Sequence, residues 1–332
     1  MNSSSAPTAR FVSTGTLPGP DEIRSLVEAA YENFREEAGG KLADYIPALA
    51  EADPSAFGIC VANTPGDAFM VGEAAETSSI QSVSKPFVFA LVCEALGAAE
   101  AAARLGVDAT GLPFNSIMAM ELRADGTSNP LVNAGAIAAT SLIPGSGAED
   151  RWHHVRQGLS RFAGRELECD EHVYASEAAN NQRNAGLAHL LRGHGRLYCD
   201  PDEAVEVYTR QCALLVSARD LALMGATLAG GGVHPLTGEQ VVSAATCQRV
   251  LAVMATAGLY ERSGSWLYDV GLPGKSGVSG GILTIAPGKG AVATFSPPLD
   301  AAGNSVRGQL VMRFLSERLG LNLFISAPAA HL

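Results

Sequence analysis

The sequence predicts a mixed α/β fold of the α+β kind, in which a sheet built from both chain ends carries an inserted helical lobe. Three observations predict it. Strand-like runs lie near both ends, Ala- and Leu-rich helical segments fill the middle, and the chain is long and apolar enough to bury a large core. It has 332 residues, 47% of them hydrophobic and 17% charged, which excludes wholesale disorder.

From Pro20 to Phe34, apolar residues Ile23, Leu26, Val27, Ala30 and Phe34 recur at helical spacing behind a proline and acids, so an amphipathic first helix is expected. GGKLADYIPALA (39–50) reads as a turn and a short helix holding Tyr45. FGICVA (57–62) and DAFMVGE (67–73) flank the turn NTPG and read as a β-hairpin. After Ser82 the pattern turns helical through Leu96. Residues 91–229 form a run of helices, among them VNAGAIAATSLI, RWHHVRQGLSRFAG, SEAANNQRNAGLAHLLRG and ARDLALMGATLAGGG. Past about 265, SWLYDVGL, SGGILTIAPG and GAVATFSPPL read as strands between Gly/Pro turns, and GQLVMRFLSERLG (308–320) as a closing helix. The expected organisation is a tail at 1–20, one catalytic domain at 21–326 and a tail at 327–332. The sheet lobe would take 21–90 and 230–326, and the helical lobe 91–229. A site is expected in the cleft between them.

Lys plus Arg total 23 against 34 Asp plus Glu, a net charge of −11. An acidic chain without a basic run is a poor binder of phosphate backbones, so no nucleic acid and no anionic membrane is expected as partner. The most apolar window, Phe87 to Cys93, stops at Glu94, too short to span a bilayer. The first twenty residues lack the apolar stretch of a signal peptide. The six cysteines form no C-x-x-C pair and read as buried free thiols of a cytoplasmic protein. The seven histidines show no i,i+4 pair, and no metal site is expected.

The chain has four lysines, and two sit in suggestive places. Ser82-Val83-Ser84-Lys85 is a Ser-x-x-Lys at the start of a helix. Lys275-Ser276-Gly277 opens a strand. Positions i and i+3 share a helix face, so the Ser82 hydroxyl and the Lys85 amine can meet. A serine is a weak nucleophile until a base takes its proton. A lysine serves as that base if burial and a nearby cation, here Lys275, keep it neutral. Ser84, one residue before Lys85, points off the shared face. Ser-x-x-Lys with Lys-[Ser/Thr]-Gly marks the serine β-lactamases and penicillin-binding enzymes. As a bare pair it also occurs by chance.

The wider context narrows the choice. SIQSVSKPF (79–87) resembles the nucleophile segment of the glutaminases that share the β-lactamase-like fold. The resemblance continues through GLPFNS (111–116), NPLVNAGAIA (129–138), Ser176-Glu177 with Arg183-Asn184, and VYTRQCALLVSARDLALM (207–224). GLYERSG (258–264), GLPGKSGVSGGI (271–282) and SPPLDAAGNSVRG (296–308) complete it, in family order. The resemblance implies a β-lactamase/transpeptidase-like fold with a central antiparallel sheet. It implies hydrolysis of L-glutamine to L-glutamate and ammonia through a γ-glutamyl ester, with no cofactor, in a homodimer or homotetramer. By the same resemblance Ser82 is the nucleophile, Lys85 its base, and Tyr260 a partner in the proton relay. Tyr208 lines the site, and the amides of Ser82 and Val278 form the oxyanion hole. Tyr45, Gln81, Asn133, Glu177 and Asn184 complete the substrate-binding set, with Glu177 facing the α-ammonium. Lys275, Ser276 and Gly277 support the site. The zwitterionic substrate asks for such a mixture of one carboxylate and neutral donors.

Taken singly, the tyrosines read equally as half-buried core residues and the asparagines as caps. Two rival functions remain at this point: a β-lactamase or penicillin-binding hydrolase, against which stands the absence of Ser-Asp-Asn, and a binding protein that has lost the reaction. Pro86, Gly274 and Ser279 depart from the family pattern.

Overall fold

The computed structural model describes residues 17–123 and 125–325. The expected tail at 327–332 and most of that at 1–20 lie outside the described residues.

Seven strands are present among these residues: β1 (Gly58–Asn63), β2 (Ala68–Gly72), β3 (Thr77–Ser79), β4 (Leu215–Ser217), β5 (Gly274–Ser276), β6 (Gly281–Ala286) and β7 (Gly290–Phe295). Five form one antiparallel sheet in the order β2-β1-β7-β6-β5. The N-terminal hairpin is thus zipped to the C-terminal strands by β1 against β7, with Cys60 opposite Ala293. Both faces of the sheet are covered, and the period of two assigns each side chain to one of two cores. Ile59, Val61, Ile282 and Val292 face one core. Cys60, Ala62, Leu283, Ile285, Ala291 and Ala293 face the other.

The first core is closed by α1 (Pro20–Phe34) and the C-terminal helix Val306–Arg318. Ile23, Val27 and Ala30 recur one turn apart on α1 and bury there, as do Val311, Met312 and Leu315 on the closing helix. Between the two ends run α2 (Lys85–Leu96), α3 (Ala98–Leu105), α4 (Met118–Glu121), α5 (Asn133–Ser141), α6 (Ala148–Ala163), α7 (Glu171–Ala179), α8 (Gln182–Gly193), α9 (Pro201–Cys212) and α10 (Ala218–Ala229). Then follow α11 (Ala244–Ala257) and α12 (Ser263–Asp269), so the closing helix is α13. α10 lies flat on the sheet, packing on β1, β6 and β7. A Cβ on its Gly225 would come within 2.6 Å of the Ala291 Cβ and 2.7 Å of Leu283, so two small residues set this close approach.

The hairpin, the helical run and the closing helix fall where the sequence pattern placed them. Three local readings need correction. Tyr45 is not on a helix: the helical turn is Pro47–Glu51, and Ile46 before Pro47 is extended, as the residue preceding a proline prefers. SWLYDVGL is not a strand but begins inside α12 and carries its last five residues. Burial at Ser263, Trp266 and Val270 follows helical spacing, and Tyr268 is left 88% exposed. SEAANNQRNAGLAHLLRG is two helices, α7 and α8. Asn180 breaks it by turning its side-chain amide back onto the Ser176 carbonyl at 2.9 Å. Three elements went unread: α11 behind its cap Ser243, and the three-residue strands β3 and β4, which pair with each other.

Candidate active site

The β3–β4 ribbon delivers the chain to a short 3₁₀ turn, Gln81–Ser84, that runs directly into α2. Ile80 N–H is tied to Leu214 O at 2.7 Å, and the first helical bond is Val83 N–H to Ile80 O at 3.1 Å. Ser82 therefore sits in the opening turn, where backbone N–H groups precede the first intrahelical partner. Gln81 takes φ +49, and Tyr260 takes φ +56, the two non-glycine residues with positive φ among those described. Both are left-handed conformations costing of order 1 kcal/mol or more, and both flank the same hydroxyl. Gln81 is held by Ser84, whose Oγ donates to the Gln81 carbonyl at 2.7 Å and accepts from Gln211 Nε2 at 2.8 Å. Tyr260 is held by Ser263, whose Oγ donates to the Tyr260 carbonyl at 2.8 Å and accepts from Leu259 N–H at 3.0 Å.

Strand β5 approaches from the other side. A Cβ on Gly277 would lie 3.1 Å from both Ile80 O and Val83 Cγ2, so glycine permits this contact. Val278, next along, faces the Ser82 cavity, and its amide makes no hydrogen bond to another described residue. The Ser276 carbonyl collects the Tyr260 hydroxyl at 3.1 Å and Lys275 Nζ at 2.7 Å, while Ser276 Oγ donates to Asn304 Oδ1 at 2.6 Å. Lys275 Nζ also lies 4.2 Å from the centre of the Tyr260 ring.

Ser82, Lys85, Lys275, Tyr208 and Tyr260 are all buried. The Ser82 side chain acts on the Tyr260 phenol, lowering it against the effect of burial. Lys85 Nζ donates to Asn133 Oδ1 at 2.7 Å, which also accepts from the Tyr208 hydroxyl at 3.2 Å. The serine and the lysine are thus one turn apart on one continuous stretch, but in this state the lysine is bonded to Asn133 and not to the serine. Contacts of this kind tighten when substrate is bound.

Burial drives the titration of the whole group. It lowers Lys85 to about 8, against the attraction of Cys212 and Glu177. It lowers Lys275 well below the usual lysine range, with the charge on Lys85 adding to the effect. Of the two influences expected on Lys85, burial is the one that lowers it, and Lys275 is not among its causes; the coupling is seen on Lys275 instead. Burial also pushes the Glu177 carboxyl up to about 7, against a hydrogen bond from Gln81 and the charge of Lys85. It pushes Tyr260 up to about 12 and Tyr208 well above its ordinary range.

A cavity of about 130 Å³ opens above Ser82. Of the residues expected at the site, Tyr45, Gln81, Ser82, Asn133, Glu177, Asn184, Tyr208 and Val278 line it. Tyr45 is 54% exposed and forms the rim. Lys85, Tyr260 and Lys275 lie beneath the wall. Gln81 Nε2 reaches Glu177 Oε2 at 3.4 Å, and Asn133 Nδ2 reaches Asn184 Oδ1 at 3.1 Å. Among the described residues no cluster of His, Cys, Asp and Glu could hold a metal ion, and none of their helices is long and apolar enough to cross a membrane.

A nucleophile turn, two buried amines and a cavity with one carboxylate and several amides stand together here. The glutaminase family model matches residues 40–324. The chain belongs to the glutaminase family. Glutaminase 2 of Yersinia pestis is 54% identical over 318 residues, covering 96% of this chain and 94% of its own. Among solved structures, the probable glutaminase YbaS superposes with a TM-score of 0.91 at 43% identity, over 93% of this chain and all of that one. The probable glutaminase from Bacillus subtilis complexed with 6-diazo-5-oxo-L-norleucine does so at 0.83 and 30%, over 94% and 99% of the two chains. Family membership carries the β-lactamase-like fold with it and speaks against the penicillin-recognising alternative.

The sequence reading missed six residues of this wall, Ile46, Phe114, Asn115, Asn180, Asn181 and Arg183. Phe114 packs on the Tyr260 ring with centroids 4.8 Å apart. Asn115, Arg183 and Asn181 also line the cavity, and Arg183 Nε donates to Asn115 O at 2.9 Å. Phe114, Asn115 and Arg183 stood inside family-like blocks. Asn181 had no local signal beyond following another asparagine. The departure Gly274 has a packing reason, because a Cβ there would meet the Trp266 indole at 2.7 Å.

Proposed function

We propose that this amidohydrolase cleaves the side-chain amide of free L-glutamine through an acyl-enzyme on Ser82. The observation that carries this reading is the serine in a strained opening turn, with a lysine lowered to about 8 by burial one turn further on. Lys85, neutral in the reactive form, takes the Ser82 proton as Oγ bonds to the amide carbon. The Ser82 and Val278 amides receive the oxyanion; removing one such donor typically costs about 2.7–4 kcal/mol of barrier. Tyr260, still protonated at neutral pH, passes a proton to the departing nitrogen. The carbon–nitrogen bond breaks, ammonia leaves, and a γ-glutamyl ester remains. Lys85 then returns the serine's proton to the Tyr260 oxygen and is neutral again. Water, losing its proton to Lys85, opens the ester, Ser82 Oγ takes that proton back as the carbon–oxygen bond breaks, and glutamate is released.

Glu177 faces the α-ammonium, and Asn133, Asn184, Gln81, Tyr45 and Tyr208 hold the remaining polar atoms. Because the site draws on residues 45, 81–85, 133, 177–184, 208, 260 and 275–278, we treat 21–326 as one catalytic unit. All six cysteines are free, and four are buried, which supports a reducing, cytoplasmic setting. A homodimer or homotetramer is proposed from the family resemblance and is read directly by light scattering. The test of function is a glutamate-production assay on wild type, Ser82→Ala and Lys85→Met. The wild type releases glutamate from glutamine and both variants fall to background with unchanged melting. Near-normal turnover by Ser82→Ala would remove the nucleophile assignment.

A further inference from the structure

Along one wall of the cavity, side-chain amides are linked in one direction. Thr209, fully buried on α9, stands 2.8 Å from the Val205 carbonyl. A carbonyl can only accept, so the Thr209 proton is committed to it and the hydroxyl oxygen can only accept on its other side. Asn181, the N-cap residue of α8, meets that oxygen at 2.6 Å and must therefore turn its Nδ2 toward Thr209 and its Oδ1 away. That Oδ1 takes Asn184 Nδ2 at 2.8 Å, which turns Asn184 Oδ1 toward Asn133 Nδ2 at 3.1 Å. Asn133 Oδ1 is thereby left facing Lys85 Nζ at 2.7 Å and the Tyr208 hydroxyl at 3.2 Å. An amide flipped at any link would place donor against donor or acceptor against acceptor at the next.

We propose that Thr209 and Asn181 are positioning residues that fix which atom of Asn184 and Asn133 faces substrate and which faces Lys85. The inference deepens the reading above and rests on it for the roles of Asn133, Asn184 and Lys85. Neither Thr209 nor Asn181 is required to touch the reacting atoms. Thr209 acts solely through the hydroxyl it offers to Asn181.

The experiment compares Thr209→Val, which keeps the shape and removes the hydroxyl, with Thr209→Ser, which keeps the hydroxyl. Affinity for L-glutamate is measured by calorimetry, KM and kcat for glutamine by ammonia release, and kcat/KM as a function of pH. Thr209→Val weakens glutamate binding and raises KM roughly tenfold or more, as expected for an orphaned buried donor. It also moves the acidic limb of kcat/KM to lower pH, because an amide donor turned toward Lys85 disfavours the ammonium. Glu177 from α7, Cys212 and Tyr208 from α9 and Lys275 from β5 face the same amine, and none of them is altered by the substitution. Thr209→Ser stays close to wild type in all three. Asn181→Ala, at a half-buried turn position, carries the same expectation as Thr209→Val and replaces it if that variant does not fold. Wild-type glutamate affinity and an unmoved limb in Thr209→Val overturn the proposal. Equal losses in the valine and serine variants also overturn it, since packing alone would then account for both. Glutamate affinity does not depend on which residue is the nucleophile, so failure of the Ser82 assignment is read separately from Ser82→Ala turnover.

Discussion

Two groups that must both be deprotonated give the site a pH profile that can be worked out in advance. Lys85 at about 8 must be neutral to accept the Ser82 proton. Glu177 at about 7 must be ionised to hold the substrate ammonium. Both lose their active form as pH falls, so their effects multiply on the acidic side. At pH 7 an amine of pKa about 8 is neutral in roughly one molecule in ten, whereas an ordinary lysine is neutral in roughly three in ten thousand. With both groups required, kcat/KM falls about tenfold from pH 8 to 7 and about fiftyfold from 7 to 6, since kcat/KM reports the free enzyme's essential groups. Glu177→Gln removes one of the two: its KM rises because the ammonium loses its partner, and its fall from pH 7 to 6 shrinks to about tenfold. Its remaining limb shifts slightly to lower pH, because the attraction that held the proton on Lys85 is gone. The assay is initial-rate ammonia release at low glutamine in buffers of constant ionic strength. A wild-type plateau extending below pH 7, or a Glu177→Gln profile as steep as wild type, would refute the reasoning.

Two further outcomes follow from packing. Gly277→Ala sets a Cβ 3.1 Å from Ile80 O and Val83 Cγ2, so β5 or the nucleophile turn gives by a few tenths of an ångström; kcat drops about tenfold or more, with little change in KM, because the oxyanion donors lose alignment, and stopped assays on the folded variant read this. Asp220 accepts from Arg165 Nη2 at 2.7 Å and closes the capping box with Ser217. Burial alone would raise its carboxyl, but the hydrogen bonds from Arg165 and Ser217 outweigh that and hold it below the usual range. Asp220→Asn is expected to cost about 2 kcal/mol, less than a fully buried pair because Arg165 is partly exposed. The depressed carboxyl stabilises wild type above the ordinary aspartate range and ceases to as pH falls through its folded value. The gap between the two proteins in urea melts therefore closes in acid.

Much of this was legible in the sequence because the sheet obeys a strict period of two and its hairpin carries NTPG in the turn. The nucleophile segment could be read because its residues are neighbours in sequence. What escaped was set by distant contacts. α12 looks extended from composition, and its helical burial emerges only from Trp266 packing on Gly274. β4 has three residues and exists only because β3 pairs with it. Asn181 and Thr209 are 28 residues apart and meet only because α8 and α9 pack together. The influence of Lys275 on Lys85 was overstated because sequence gives proximity without giving burial, and burial is what lowers both amines. α11 is different: Ser243 followed by apolar residues at 247, 250, 253, 254 and 257 was a readable helix.

The central claim is that Ser82 carries the glutamyl group between ammonia release and hydrolysis. Rapid acid quenching of enzyme turning over glutamine, followed by peptide mass spectrometry, tests it most directly. The account predicts one glutamyl residue added to the peptide containing Ser82, lost again as substrate is exhausted and absent from Ser82→Ala. A glutamyl adduct on any other residue, with Ser82 unmodified and glutamate still accumulating, would contradict it.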